Sequence, residues 1–212
     1  MKGDDISAIV GNIVHQLNKI PDENLRLLIL NEVMSRVCSP KTGTKVQSSG
    51  LAELVACTAL GLTWQKDTIH GRDASDEKGR AVELKTSKRS KSGNVNFSYT
   101  FPEKPRGQSS LEHKTKVFEL YMDNRKYEGG HYLIYMNAAK TQVLSWYWIS
   151  KRKMAEAVAN YAAEHPTSKS MNLGRRPCRN CGHCCWLSTI AGNMFVVNKK
   201  KDAFVPLKCN TI

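Results

Sequence analysis

At 212 residues and 41% hydrophobic content, the chain can bury one substantial core, with room for an appendage, and needs no disulfide framework. Its 32 basic residues outnumber 19 acidic ones, giving a formal charge of +13, which points to a polyanionic partner; for a basic protein of this size that is usually nucleic acid. No stretch approaches the roughly 18 apolar residues of a membrane span, and Met1-Lys2-Gly3-Asp4-Asp5 lacks an apolar signal region, so a cytoplasmic (intracellular) protein with no membrane partner is expected. Seven cysteines, four of them between Cys178 and Cys185, suit thiols or a metal site in a reducing compartment better than paired disulfides.

Ile6, Ile9, Val10, Ile13, Val14 and Leu17 recur at helical spacing behind Asp4 and Asp5, which predicts an amphipathic helix over residues 5–19. Pro21 and Asp22 interrupt it, and a second helix carries Leu25, Leu28, Ile29, Val33 and Val37 as far as Ser39-Pro40. Residues 1–40 thus read as a helical hairpin, packed on its own domain or on a second subunit. Residues 41–50 are polar and glycine-rich, as in a loop whose lysines can meet phosphate. Ser49 then offers an N-cap for a helix from Leu51 to Leu60, stopped by Gly61. Leu51, Leu54, Val55 and Thr58 share one side of that helix and Glu53 lies off it, as a solvated group or as an acid belonging to a site.

The most informative stretch is Gly71–Thr86. Glu77-Lys78-Gly79 predicts a three-residue hairpin loop with Gly79 at the positive-φ position. Counting outward pairs Asp76 with Arg80, Ser75 with Ala81, Ala74 with Val82, and Asp73 with Glu83. Directly opposed residues hold their Cβ atoms about 4.5–5.5 Å apart on one face, so two carboxylates there call for a cation between them. Val82 and Leu84 alternate with Glu83 and Lys85, so one strand presents acid and base together on the face away from its apolar pair.

The following run, including Lys88, Arg89 and Lys91, is densely basic and suits contacts to a DNA backbone. A strand over 95–101 is followed by a Pro/Gly-punctuated loop, a helix over 111–127 capped by Ser110, strands over 131–137 and 142–149, and an alanine-rich helix over 154–164. From residue 166 the composition changes. Cys178-x-x-Cys181-Gly182 is a metal-knuckle spacing; Cys184, Cys185, His183 and Cys209 are all eligible to complete a tetrahedral zinc site. The predicted organisation is an N-terminal hairpin (1–40), an α/β (α+β) core with a central mixed sheet flanked by helices (41–165), and a cysteine-rich tail (166–212).

The order Glu53, Asp73, Glu83-Leu84-Lys85 resembles the PD-(D/E)XK nuclease superfamily, and Gly61-Leu62-Thr63 ahead of the hairpin is similar to the PvuII-type restriction endonucleases. The likeness runs from about Leu51 to Ile149; Arg72 stands where a proline is often found. It implies a restriction-endonuclease-like core, a homodimer acting on double-stranded DNA, and Mg²⁺ held by Asp73, Glu83 and the Leu84 carbonyl. Lys85 would serve the attacking water, with Glu53 as an auxiliary acid. Base reading would fall to side chains such as Asn94, Asn96, Arg106, Gln108 and His113, since Arg reads guanine and Asn or Gln reads adenine. A junction-resolving or repair nuclease, and a non-catalytic zinc-containing nucleic-acid-binding module, are the competing readings.

Overall fold

The computed structural model describes residues 17–19, 21, 22, 26, 48–64, 73–138, 140, 142–198, 200 and 203–209. The predicted N-terminal hairpin and the loop at 41–47 lie almost wholly outside them. Helix α1, Ser48–Leu60, begins inside the stretch read as loop and ends at Gly61 (φ +66°), where the Leu62 N–H donates to the Cys57 carbonyl at 2.9 Å. That bond closes a Schellman-type terminus.

The strands that follow are β1 (Thr63–Trp64), β2 (Ala74–Ser75), β3 (Ala81–Lys88), β4 (Val95–Thr100), β5 (His131–Met136), β6 (Val143–Ile149), β7 (Ser170–Arg175), β8 (Met194–Asn198) and β9 (Ala203–Leu207). Seven form one sheet in the order β1-β2-β3-β5-β6-β8-β9, and β4 pairs with β7 in a separate two-stranded ribbon. Among the described strands every pairing is antiparallel except β3 with β5, whose register sets Glu83 beside His131 and Lys85 beside Leu133. A parallel pair needs a long crossover, here supplied by β4 and helix α2, Ser110–Asp123. Helix α3, Lys151–Glu164, and the short helix α4, Ser188–Ala191, complete the order. None of the described helices is long and apolar enough to cross a membrane.

Apolar residues cover both sheet faces. On one, Val82, Leu84, Ile134 and Met136 pack with Ala52, Val55 and Ala56 of α1 and with Leu17. On the other, Leu133, Tyr147 and Ile149 pack with Val117 and Tyr121 of α2, Met154 and Val158 of α3, and Phe97 and Tyr99 of the ribbon. Burial of side chains this size contributes about 1.5–3 kcal/mol each, which makes these two layers the main source of stability.

Two expectations need correction. The cap of α2 is Ser109, whose hydroxyl accepts from Glu112 N–H while the Glu112 carboxylate accepts from Ser109 N–H; this capping box outcompetes a lone Ser110, and the helix ends at Asp123 before a 3₁₀ turn. The change in composition at 166 does not mark a break in packing, because β7 pairs with β4 and β8 extends the main sheet from β6. Met171, Leu187 and Met194 are buried in the same core as Tyr147, so the tail has an apolar face of its own.

Candidate active site and a four-cysteine cluster

The hairpin folds as its turn chemistry dictates. Gly79 takes φ +73°, its N–H donates to the Asp76 carbonyl, and Ala74 pairs with Val82 and Ser75 with Ala81. Asp73 precedes β2, and its Oδ2 accepts from the Leu84 N–H at 3.0 Å, which fixes the carboxylate across from the Glu83–Lys85 pair. Leu84 itself is buried, so only its main chain faces the site. On the face opposite Val82 and Leu84, Lys85 Nζ lies 2.6 Å from Glu83 Oε1 and 5.9 Å from the centre of the Tyr99 ring.

Glu53 reaches the same place from α1. Its pKa is raised, first by desolvation and then by Asp73, with Glu83 adding to the rise; the Trp64 indole and Lys85 oppose it. Burial likewise raises Glu83, with Asp73 adding to the rise and Lys85 pulling against it. Three mutually repelling carboxylates around one ammonium leave an excess of negative charge in a half-buried setting. The three carboxylates offer hard oxygen donors, but the ligating atoms gathered within 4.8 Å of one another among the described residues are those of the cysteines described below. The sequence-predicted residues Glu53, Asp73, Glu83 and Lys85 lie within electrostatic reach of one another.

Beneath them lies a bed that sequence reading missed. His131 is fully buried, 4.5 Å from Tyr127 and 5.5 Å from Tyr99 between ring centres, and among the described residues neither ring nitrogen has a hydrogen-bond partner. Burial, then the charges of Lys85 and Lys151, push its pKa down to about 3. The unfolded imidazole takes its proton near pH ~6.5, so stability is fully present above that pH and is lost as pH falls toward 3. We expect several kcal/mol of acid-linked destabilisation, at roughly 1.4 kcal/mol per pH unit, and expect His131→Phe to remove it. Urea midpoints at pH 7 and pH 4.5 check this; an equal loss in both proteins would contradict it.

No family model, curated protein or solved structure matches this chain.

The basic run after β3 borders an open groove of about 580 Å³, in which Lys88, Asn94 and Asn96 are joined by Lys140 and Asn172, two residues that sequence reading did not single out. The ribbon register, which pairs Ser98 with Asn172 and Asn96 with Gly174, brings the last of these there. Arg89 and Lys91 are exposed on the turn between β3 and β4, and Arg106 is exposed on the loop before α2, outside the groove lining. His113 is corrected: it is 1% exposed, because it falls in line with Val117 and Tyr121 on the inner side of α2, so it cannot meet a base. The i, i+4, i+8 spacing of these three residues was the available signal.

At the other end of the chain, the Sγ atoms of Cys178, Cys181, Cys185 and Cys209 all lie within 4.8 Å of one another. The Cys178–Cys209 separation is 3.7 Å. Sulfurs at tetrahedral positions around an ion at ~2.3 Å stand about 3.8 Å apart, so the four could hold a metal ion such as zinc. The turn is shaped by Gly182 (φ +70°), whose N–H donates to the Cys178 carbonyl, while the Cys178 N–H donates to the His183 carbonyl. Cys184, eligible on spacing, is fully buried beside Tyr147 and Tyr135, because the 3₁₀ turn Cys185–Leu187 sends adjacent side chains in different directions. Nor is His183 part of the cluster.

Proposed function

We propose that this protein is a Mg²⁺-dependent, sequence-specific endonuclease of double-stranded DNA, with a PD-(D/E)XK core of the restriction-endonuclease type and a homodimeric working form. The observation that carries the reading is the gathering of Glu53, Asp73, Glu83 and Lys85 at one hairpin of a chain with net charge +13. Asp73 and Glu83 would hold the ion, the Leu84 carbonyl offers a further oxygen, and Glu53 is an auxiliary acid. Mg²⁺ bound there supplies Lewis-acid stabilisation of the charge that develops on the phosphate and the leaving 3′ oxygen.

Lys85 orients the attacking water and stabilises negative charge on the phosphate, with Glu83 and the Tyr99 ring holding the ammonium in place. Lys88 and Lys140 in the groove, with Arg89 and Lys91 beside it, take backbone phosphates. Asn94 and Asn96, with Asn172, have the side-chain chemistry to read adenine. A two-fold DNA site read by a two-fold dimer accounts for cutting both strands. The four clustered thiols are assigned a structural Zn²⁺, whose preference for sulfur keeps it apart from the carboxylate site.

Incubation of the protein with plasmid or phage DNA and Mg²⁺ should give discrete fragments. A smear would show cutting without sequence preference, and faster cutting of four-way junctions than of linear duplex would show a resolvase. Salt-sensitive DNA binding with no cutting, unchanged in Asp73→Ala, would show a binding module.

A further inference from the structure

Resting on the assignment of the four thiols to zinc, and independent of the nuclease reading, we propose that this ion is a clasp fastening the β8–β9 hairpin and the ribbon strand β7 to the core. Its four sulfurs come from three separately held pieces of chain. Cys178 and Cys181 belong to the turn that leaves β7 after Arg175, Cys185 opens the turn Cys185–Leu187 that is sunk in the core, and Cys209 follows the end of β9 at Leu207.

Those pieces are tied down very unequally. β7 is matched to β4 from Ser170↔Thr100 to Arg175↔Val95, whereas β8 joins β6 only through Ser145↔Val196 and Trp146↔Phe195. Among the described strands β9 is the sheet edge and hydrogen-bonds to β8 alone, while Phe204 meets the Trp146 ring of β6 edge-on at 6.2 Å. The β9 side chains are exposed or half-buried along its length, and its apolar hold on the cores comes from Phe204 and Val205. β8 is seated in the core by Met194 and Val196, with Phe195 stacked on Trp146 at 4.3 Å, so β9 is the weakly held strand, and a closed tetrathiolate site just past its end supplies the missing attachment. A second, weaker link lies on the same seam, where the Arg175 guanidinium stands 5.7 Å from the centre of the Trp186 ring. Thiolates select a borderline-soft d¹⁰ ion over Mg²⁺, so this clasp can be emptied without touching the carboxylates.

The test uses the full chain purified with zinc. One zinc per chain is expected by metal analysis, and Co²⁺ exchange should give sulfur-to-cobalt charge-transfer and tetrahedral ligand-field bands. Those bands should be lost in Cys209→Ser and in Cys181→Ser and kept in Cys184→Ala. On stripping with a zinc-selective chelator, amide hydrogens of β8 and β9 should exchange at least about tenfold faster while those of β3 and β5 are unchanged. If zinc is bound but its removal leaves β8–β9 protection as it was, or loosens every strand equally, the clasp is wrong and the zinc assignment stands. If the wild-type chain takes up neither zinc nor cobalt, the assignment fails and the clasp with it.

Discussion

Replacing Lys85 by alanine is expected to lower the rate of DNA cleavage by roughly 10²–10⁴-fold while DNA affinity stays within about threefold. The ammonium lies 2.6 Å from Glu83 and above the Tyr99 ring, held by its partners at the acidic cluster, whereas Lys88 and Lys140 border the groove further along. On the proposed reading, its loss removes an interaction that strengthens as charge builds on the phosphate and leaves most of the phosphate contacts in place. Single-turnover rates and binding titrations on the same DNA separate the two effects. Rate and affinity falling together would make Lys85 a binding residue. Glu83→Gln should behave similarly in rate, because a neutral amide weakens both the cation site and the hold on Lys85.

The second large effect concerns a pair of glycines. Gly130→Ala is expected to cost about 3–5 kcal/mol of stability. Gly130 sits at φ +92°, and a Cβ there would stand 2.6 Å from Trp148 Nε1 and 2.8 Å from the Ile149 carbonyl oxygen, which is main chain and cannot yield cheaply. Beside it, an added Cβ on Gly129 would collide with Val82. The pair also clamps strand β3, which carries Glu83 and Lys85. The Gly129 N–H donates to the Ala81 carbonyl at 2.7 Å, the Glu83 N–H donates to the Gly130 carbonyl at 3.1 Å, and the Trp148 indole donates to the Gly129 carbonyl at 2.8 Å. Denaturant unfolding of the variant checks the magnitude; a change within about 0.5 kcal/mol would mean that the turn relaxes freely.

What could be read from the chain and what could not divides along the range of the interactions. The hairpin around Gly79 was legible because loop length, positive φ and side-chain alternation are all local, and together they set the register of Ala74 with Val82. Strands β5 and β6 were legible for the same reason, with Asn137 and Lys140 closing the turn between them by a 3.0 Å hydrogen bond. The parallel partnership of β3 with β5 was not, since it joins residues separated by the whole of β4 and α2. Nor was the ribbon, in which β4 finds its partner at Ser170–Arg175, a segment whose sequence carries little strand patterning. The cysteines show the limit most clearly. Spacing made Cys184 and Cys185 equivalent, and only the turn at Cys185–Leu187 turns one sulfur into the cluster and the other into the core. His113 and His131 repeat the lesson, because each is placed by packing on a distant element.

The most direct test of the central claim is a comparison of wild-type protein with Glu83→Gln, both confirmed folded, on one plasmid with and without Mg²⁺. The wild type should give discrete fragments only when Mg²⁺ is present, and the variant should leave the plasmid intact under the same conditions. Equal cutting by both proteins, or no cutting by folded wild-type protein at any Mg²⁺ concentration, would contradict it.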